Sequence, residues 1–154
     1  MKCKSKHQLL VEKFMQLAGQ EIPESPRIPD EKTRRLRAKL IFEEAIETIQ
    51  ALGFCFEFKK DEEEDIVYLD IADKSTIEPD LERIIDGCCD IKVVTTGTLS
   101  ACGVPDEIFQ TEVDINNLMK FGEGSRINEY GKLVKPDNFQ GPRIKDLLKV
   151  LEQS

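Results

Sequence analysis

A chain of 154 residues with 40% hydrophobic content is long enough to bury a core, and we expect residues 1–154 to form a single domain. Its 30 acidic and 22 basic side chains give a net charge of −8, which argues against binding duplex nucleic acid by charge attraction. An acidic chain can still bind a nucleotide if metal ions or a local basic pocket screen the site, so any phosphate-binding hypothesis includes a metal.

The first two predicted helices are separated by a proline-rich connector. Leucine and phenylalanine side chains recur at helical spacing over residues 5–18, which predicts the first helix. Three prolines favour an extended conformation for residues 20–30. Asp30 can then cap a second helix, which runs to about Leu52 and ends at Gly53.

A β-hairpin is predicted between the second and third helices. Residues 54–58 and 67–71 both alternate between apolar and polar side chains, and the acidic run 61–65 separates them. The run lacks the spacing and the central glycine of a calcium-binding loop, so it is interpreted as a solvated hairpin tip.

The second half of the chain is also predicted to be helical. The third helix, residues 79–101, is apolar on nearly every side, as is typical of a helix buried in a bundle. A fourth helix follows over residues 105–120, then an ordered loop or short hairpin over residues 122–141 and a short helix over residues 144–151. The predicted fold class is all-α: a four-helix-type bundle with a small β-hairpin inserted between the second and third helices.

The second helix has an acidic patch. Glu43, Glu44 and Glu47 lie within an arc of roughly a quarter turn, while Leu36 and Leu40 precede them on the same face. Because like charges one turn apart repel and an unpaired buried carboxylate is costly, such a patch needs a cation. The alternative is the solvated face of an amphipathic helix. The opposite side has an apolar stripe made of Ala38, Ile41, Phe42, Ala45, Ile49 and Leu52.

Two aspartates interrupt the apolar third helix. Asp86 and Asp90 are one turn apart, and aspartate is both a poor helix former and rarely buried without a partner. They could pair with Arg34, Arg35 or Lys92. If the second and third helices instead pack side by side, the acids of both helices converge.

Such a cluster of carboxylates would bind Mg²⁺ or Mn²⁺, which would hold polyphosphate oxygens and lower the pKa of a bound water. Attack of that water on phosphorus is the expected reaction. A carboxylate that is not fully used as a ligand would accept the proton.

Cysteine and histidine usage excludes other site types. The cysteines include no CxxC pair and indicate reduced, buried thiols: Cys3, Cys55, Cys88, Cys89 and Cys102. With His7 as the only histidine, a His/Cys zinc site and a Ser-His-Asp triad both lack residues. The N-terminal residues show no signal-peptide core and no stretch is long enough to span a membrane, so we expect a cytoplasmic protein with no membrane partner.

The acidic residues resemble the motifs of a known superfamily. Glu43-Glu44-Ala45-Ile46-Glu47, followed by Asp86-Gly87-Cys88-Cys89-Asp90, is similar to the EExxE and ExxD motifs of the all-α, MazG-like nucleoside triphosphate pyrophosphohydrolases. Four further segments resemble the phosphoribosyl-ATP pyrophosphatase-like branch: Arg34 to Arg37, Val93 to Thr98, Asn117 to Lys120 and Gly131 to Pro136. There is one departure, because Gly87 occupies the position of the ExxD glutamate. Asp86 faces the same way on a helix and can substitute.

The resemblance implies a helical bundle, usually a homodimer or dimer of dimers, that hydrolyses a nucleotide between its α- and β-phosphates to a monophosphate and pyrophosphate. It implies Mg²⁺ or Mn²⁺ bound by Glu44, Glu47 and Asp90, with Asp86 in place of the missing glutamate. Glu43 would orient or deprotonate the attacking water. The residues assigned to substrate binding are Arg37, Asn117, Lys120, Tyr130, Lys132 and Lys135.

Two other interpretations remain open. The chain could be a non-catalytic acidic helical module that binds divalent metal or a partner protein, in which case its acids would be scattered over the surface. It could also be specialised for one nucleotide, such as dUTP or phosphoribosyl-ATP. With no Trp and two Tyr, the sequence nominates no base-stacking residue, and Phe14, Phe109 and Phe139 are as compatible with the core.

Overall fold

The computed structural model describes residues 4–61, 66–72, 76–122, 124–129 and 131–153. The elements in these residues are α1 (Lys6–Leu17), α2 (Glu31–Ala51), β1 (Phe56–Asp61), β2 (Ile66–Ile71), α3 (Leu81–Ala101), α4 (Asp106–Leu118), β3 (Arg126–Ile127), β4 (Leu133–Val134) and α5 (Ile144–Glu152). The predicted, mostly helical class with a small hairpin between α2 and α3 is confirmed.

The chain divides into two compact units. The central unit, residues 30–98, contains α2, the β1–β2 hairpin and most of α3. The terminal unit, residues 1–29 and 99–154, contains α1, the last residues of α3, α4, the β3–β4 hairpin and α5. No helix in the described ranges combines the length and the apolarity needed to cross a membrane.

The helix ends follow from local capping. The Ser5 side chain accepts a hydrogen bond from the first turn of α1, and Asp30 Oδ1 accepts one from the Thr33 backbone N–H at 2.7 Å. Gly53 follows α2 with φ of 89°, a left-handed conformation that favours glycine. A Cβ at this position would also lie 2.9 Å from the Ile77 carbonyl oxygen. The predicted start and end of α2 are therefore confirmed.

The terminal unit is built around a small apolar core and one buried amide. Its buried apolar side chains include Val11, Met15, Ala101, Phe109 and Leu151. The fully buried Gln8 side chain donates hydrogen bonds to Ser100 Oγ at 3.0 Å and to the Val104 carbonyl at 2.8 Å, and accepts one from the Asp106 backbone at 2.8 Å. Because every polar group of this amide has a partner, it joins α1 to the segments that end α3 and begin α4 without leaving a buried polar atom unpaired.

Both hairpins are antiparallel. In the first, Phe56 pairs with Ile71 at one end and Asp61 with Ile66 at the other; the predicted acidic tip falls mostly outside the described residues. In the second, Arg126 pairs with Val134, so the described residues within 122–141 include the predicted short hairpin.

The predicted apolar stripe of α2 is not the face buried within the chain. Phe42 is 56% exposed and Leu52 is 43% exposed. The buried residues are instead Arg37, Thr48 and Ala51, which lie on a different face of the helix. Helical spacing located an apolar stripe correctly but did not indicate which face the rest of the chain covers.

The prediction that α3 is buried on nearly every side is wrong for its N-terminal half. Ile85 is 57% exposed, and Cys88 and Cys89 are exposed free thiols. Burial is concentrated in the C-terminal half, at residues such as Val94 and Ala101. The apolar composition of this helix therefore does not correspond to burial within one chain.

Candidate active site

The helices α2 and α3 approach closely where Gly87 meets Thr48. Gly87 is buried, and a Cβ built there would lie 3.2 Å from Thr48 Cα and overlap the Thr48 hydroxyl. That hydroxyl donates a hydrogen bond to the Glu44 carbonyl at 2.7 Å, which fixes its direction. A side chain at position 87 would therefore push the helices apart, and this is the physical reason that the ExxD glutamate has no counterpart here.

Four acidic side chains surround this contact. Glu44 and Glu47 from α2 and Asp86 and Asp90 from α3 line one cavity of about 50 Å³, together with Gly87 and Arg83. Each helix contributes two acids separated by about one turn, so all four point to the same side of the close contact. The cavity is large enough for an ion or a few water molecules.

The neighbouring acids act electrostatically on Glu44. Burial raises the pKa of Glu44, and the negative charges of Asp90, Glu47, Glu43 and Asp86 raise it further, in that order. Glu43 itself is exposed and is not among the residues that line the cavity. Because its charge raises the pKa of Glu44, Glu43 nevertheless lies close to the cavity acids.

The carboxylates do not form a ready-made ligand shell. In the part of the chain that the structure describes, no group of three or more His, Cys, Asp or Glu residues is arranged so that it could hold a metal ion. Like charges repel, which disfavours closer approach of these side chains without a cation between them.

Even so, the residues fit a hard divalent cation in chemical type. Mg²⁺ and Mn²⁺ prefer carboxylate oxygens, and four carboxylates line this one cavity. None of the four side chains forms a hydrogen bond or ion pair with another described residue. They are therefore free to rotate towards an ion.

Arg83 is the residue at this cavity that sequence reasoning missed. It lies three residues before Asp86 and seven before Asp90, on the same face of α3, and this spacing could have identified it. The basic residues considered as partners of the aspartates included Arg35, which instead pairs with Glu31 at 2.8 Å.

Of three residues predicted to bind substrate, one is buried, one is exposed and one lies outside the described residues. Arg37 is 6% exposed and lies on the same face of α2 as Glu44. Lys132 is exposed in the β3–β4 hairpin, where its backbone N–H donates to Asn128 Oδ1 at 2.8 Å. Tyr130 lies outside the described residues.

The other three lie near Phe139 in the terminal unit. Lys120 Nζ donates a hydrogen bond to Asn117 Oδ1 at 2.6 Å. The ammonium groups of Lys120 and Lys135 lie 5.8 and 5.4 Å from the centre of the Phe139 ring, which is within cation–π range. Two of the predicted phosphate-binding lysines therefore lie beside the same aromatic ring.

Phe139 also lines a cavity of about 540 Å³ that the sequence did not predict. Its wall includes Asn116, whose side chain donates to the Gln140 carbonyl at 2.9 Å, and the ion pair of Glu112 with Arg143 at 3.1 Å. Of the other two phenylalanines considered for base stacking, Phe109 is in the core and Phe14 is exposed.

A comparison with known families supports the motif assignment. The sequence model of the family described as Phosphoribosyl-ATP pyrophosphohydrolase matches residues 11–117, more than half of the chain. The matched range contains the acidic residues of both helices and ends at Asn117. No curated protein matches the chain. The motifs, the helices that present them and this match agree, and the chain belongs to the phosphoribosyl-ATP pyrophosphohydrolase family, a family of hydrolases.

Proposed function

We propose that this protein is a divalent-metal-dependent nucleotide pyrophosphohydrolase. It cleaves a nucleoside triphosphate, or a related nucleotide, between the α- and β-phosphates and releases a monophosphate and pyrophosphate. The observation that supports this most directly is the single cavity lined by Glu44, Glu47, Asp86 and Asp90 in a chain of this family.

The four cavity acids would hold Mg²⁺ or Mn²⁺. When bound, such an ion supplies positive charge that offsets the charge of phosphate oxygens and makes a water molecule more acidic. Asp86 takes the place of the absent ExxD glutamate, a role supported by the tight packing of Gly87 against Thr48. Glu43, exposed beside the cavity, accepts the proton of the attacking water.

Residues outside the cavity would hold the substrate. The amide and ammonium donors for phosphate oxygens come from Asn117, Lys120 and Lys135, which lie near Phe139. By family resemblance we assign Tyr130 and Lys132 to the same task. Arg37, which is 6% exposed, also belongs to this group by family resemblance.

The same proposal includes the organisation of the protein. We propose one catalytic domain built as a four-helix-type bundle, since the family match runs from the terminal unit through the central unit and back. The exposed apolar stripe of α2 favours a homodimer or dimer of dimers. A nucleotide substrate and free thiols fit a cytoplasmic enzyme.

The test is a panel of nucleotides that includes dUTP and phosphoribosyl-ATP, incubated with Mg²⁺ or Mn²⁺ and analysed for both products. We expect pyrophosphate and a monophosphate in equal amounts, and we expect Glu47→Gln to lower kcat by about 100-fold or more, as for loss of a metal ligand. Glu82→Gln, which removes an exposed acid of α3 outside the cavity, is the matched control and should keep wild-type activity. If Glu47→Gln releases pyrophosphate as fast as the wild type, the proposed site is wrong.

A non-catalytic acidic module that binds divalent metal or a protein is the second candidate. It is favoured by the lack of a preformed ligand group among the described residues. Under this alternative the nucleotide panel yields no pyrophosphate, even at concentrations of Mn²⁺ that saturate binding.

A further inference from the structure

Among the described residues that line the acidic cavity, one has a positively charged side chain. Of the six described residues that line it, four are carboxylates, Gly87 has no side chain, and Arg83 is the single basic residue. Arg83 is exposed in the first turn of α3, where its backbone N–H donates to Asp80 Oδ1 at 3.2 Å. This hydrogen bond belongs to the helix start and leaves the side chain uncommitted.

The Arg83 guanidinium is not used to neutralise the acids beside it. It forms no ion pair or hydrogen bond with any residue that the structure describes. By contrast, Arg27, Arg35 and Arg143 each lie within 3.1 Å of a carboxylate oxygen. Arg83 does not pair with the carboxylates near it, so the N–H donors of its planar guanidinium are available for another anion.

Phosphate is the anion that suits this position. A guanidinium presents parallel N–H donors that match two oxygens of a phosphate group, and it stays charged at all physiological pH values. The four carboxylates can hold cations but repel the phosphate chain that the cations would accompany. A positive donor group beside them supplies the attraction that the acids lack.

Resting on the proposed function, we propose that Arg83 is a phosphate-binding residue of this site, which contacts oxygens of the substrate's polyphosphate chain and of the pyrophosphate product. The competing role is that of a counter-charge that stabilises the acidic cluster. The two roles differ in what depends on Arg83: polyphosphate affinity in the first, cluster stability and metal affinity in the second.

The experiment compares wild type, Arg83→Gln and Arg83→Lys, with Lys92→Gln as the control because Lys92 is an exposed cation of α3 outside the cavity. Binding of Mn²⁺ alone and of pyrophosphate with Mn²⁺ is measured by calorimetry, which needs no turnover. KM, kcat and inhibition by pyrophosphate are measured in parallel.

For Arg83→Gln we expect pyrophosphate affinity to fall and KM to rise by about 10- to 100-fold, the range for loss of charge-assisted hydrogen bonds. Mn²⁺ affinity should be unchanged or higher, because a repelling cation is removed. Arg83→Lys should lie between wild type and Arg83→Gln, since it keeps the charge but loses the paired donors. Lys92→Gln should match wild type.

Unchanged pyrophosphate affinity in Arg83→Gln would overturn the inference. A fall in Mn²⁺ affinity equal to the fall in pyrophosphate affinity would also overturn it, as would a wild type that does not bind pyrophosphate. Failure of the proposed function is recognised separately, through a fully active Glu47→Gln. An inactive Glu47→Gln beside a wild-type-like Arg83→Gln rejects only the role of Arg83.

Discussion

At the scale of single residues, folding changes the proton affinity of the cavity acid Glu44. Burial and the charges of neighbouring acids raise its pKa above the ordinary value of 4.5. A raised carboxyl pKa contributes stability that is fully present below the unfolded value and is lost as pH rises through the folded value. At neutral pH the ionised Glu44 therefore opposes folding unless a cation offsets its charge.

Replacing Glu44 tests directly whether its negative charge opposes folding at neutral pH. In a chelator at pH 7, Glu44→Gln should raise the Tm, because repulsion with Glu47 alone is worth about 0.2–0.5 kcal/mol. Well below pH 4.5 the two proteins should unfold at the same temperature, since Glu44 is then protonated in both the folded and the unfolded state. Glu24→Gln, an exposed change in the proline-rich connector, should have no such effect. A lower Tm for Glu44→Gln at pH 7 would contradict this account of the cavity.

The individual site residues could be predicted from the sequence only in part. The spacing within each helix grouped Glu44 with Glu47 and Asp86 with Asp90, because helical geometry is local. Arg83 was missed because its role at the cavity depends on which faces of α2 and α3 meet. Helical spacing places Arg83 on one face of α3 with Asp86 and Asp90, but tertiary packing decides whether that face meets α2.

At the scale of elements, the contact of α2 with α3 depends on the missing side chain at residue 87. Gly87→Ala should destabilise the protein despite the gain of about 1 kcal/mol in helix propensity, because overpacking against Thr48 costs about 1–3 kcal/mol. We expect a Tm lower by a few degrees in thermal unfolding. Adding Thr48→Ala should restore part of the loss, because it removes the overlapping hydroxyl.

Gly141→Ala is the control for this substitution, since a Cβ there would meet nothing within 4 Å. It should leave the Tm unchanged or slightly raised. A Gly87→Ala protein as stable as wild type would mean that the helices can separate at little cost, and the reason given for the absence of a glutamate at this position would be wrong.

Element boundaries were more predictable than element burial. Asp30 and Gly53 determine the ends of α2 through hydrogen bonds and backbone conformation that a few neighbouring residues specify. Burial depends on what packs against each face, and Phe42 and Cys88 show that an apolar side chain can remain exposed. The sequence therefore predicted where the helices lie but not which side of each is covered.

At the scale of the whole molecule, many large apolar side chains are exposed in a single chain. Those more than 60% exposed include Leu10, Phe14, Leu17, Ile28, Phe58, Leu81, Leu118 and Phe121. Large contiguous apolar surface is unusual for a monomer, and on α2 the half-exposed Phe42 belongs to a continuous stripe. We propose that a second copy of the chain covers this stripe.

Phe42→Glu tests that assignment. Wild type should show a mass of at least twice 17.6 kDa by light scattering after size exclusion, and Phe42→Glu should shift the mass towards a single chain because a charge in an apolar interface is costly. Phe42→Leu keeps the apolar character and should keep the wild-type mass. A monomeric wild type at micromolar concentration would reject the stripe as a subunit interface.

The close packing of Gly87 against Thr48 also has an evolutionary consequence. In chains that diverge from this one, the sizes of residues 48 and 87 should covary, with bulk gained at one position compensated by bulk lost at the other. Lineages that acquire a glutamate at position 87 should have wider spacing between the two helices, and Asp86 would then be free to drift to other residue types.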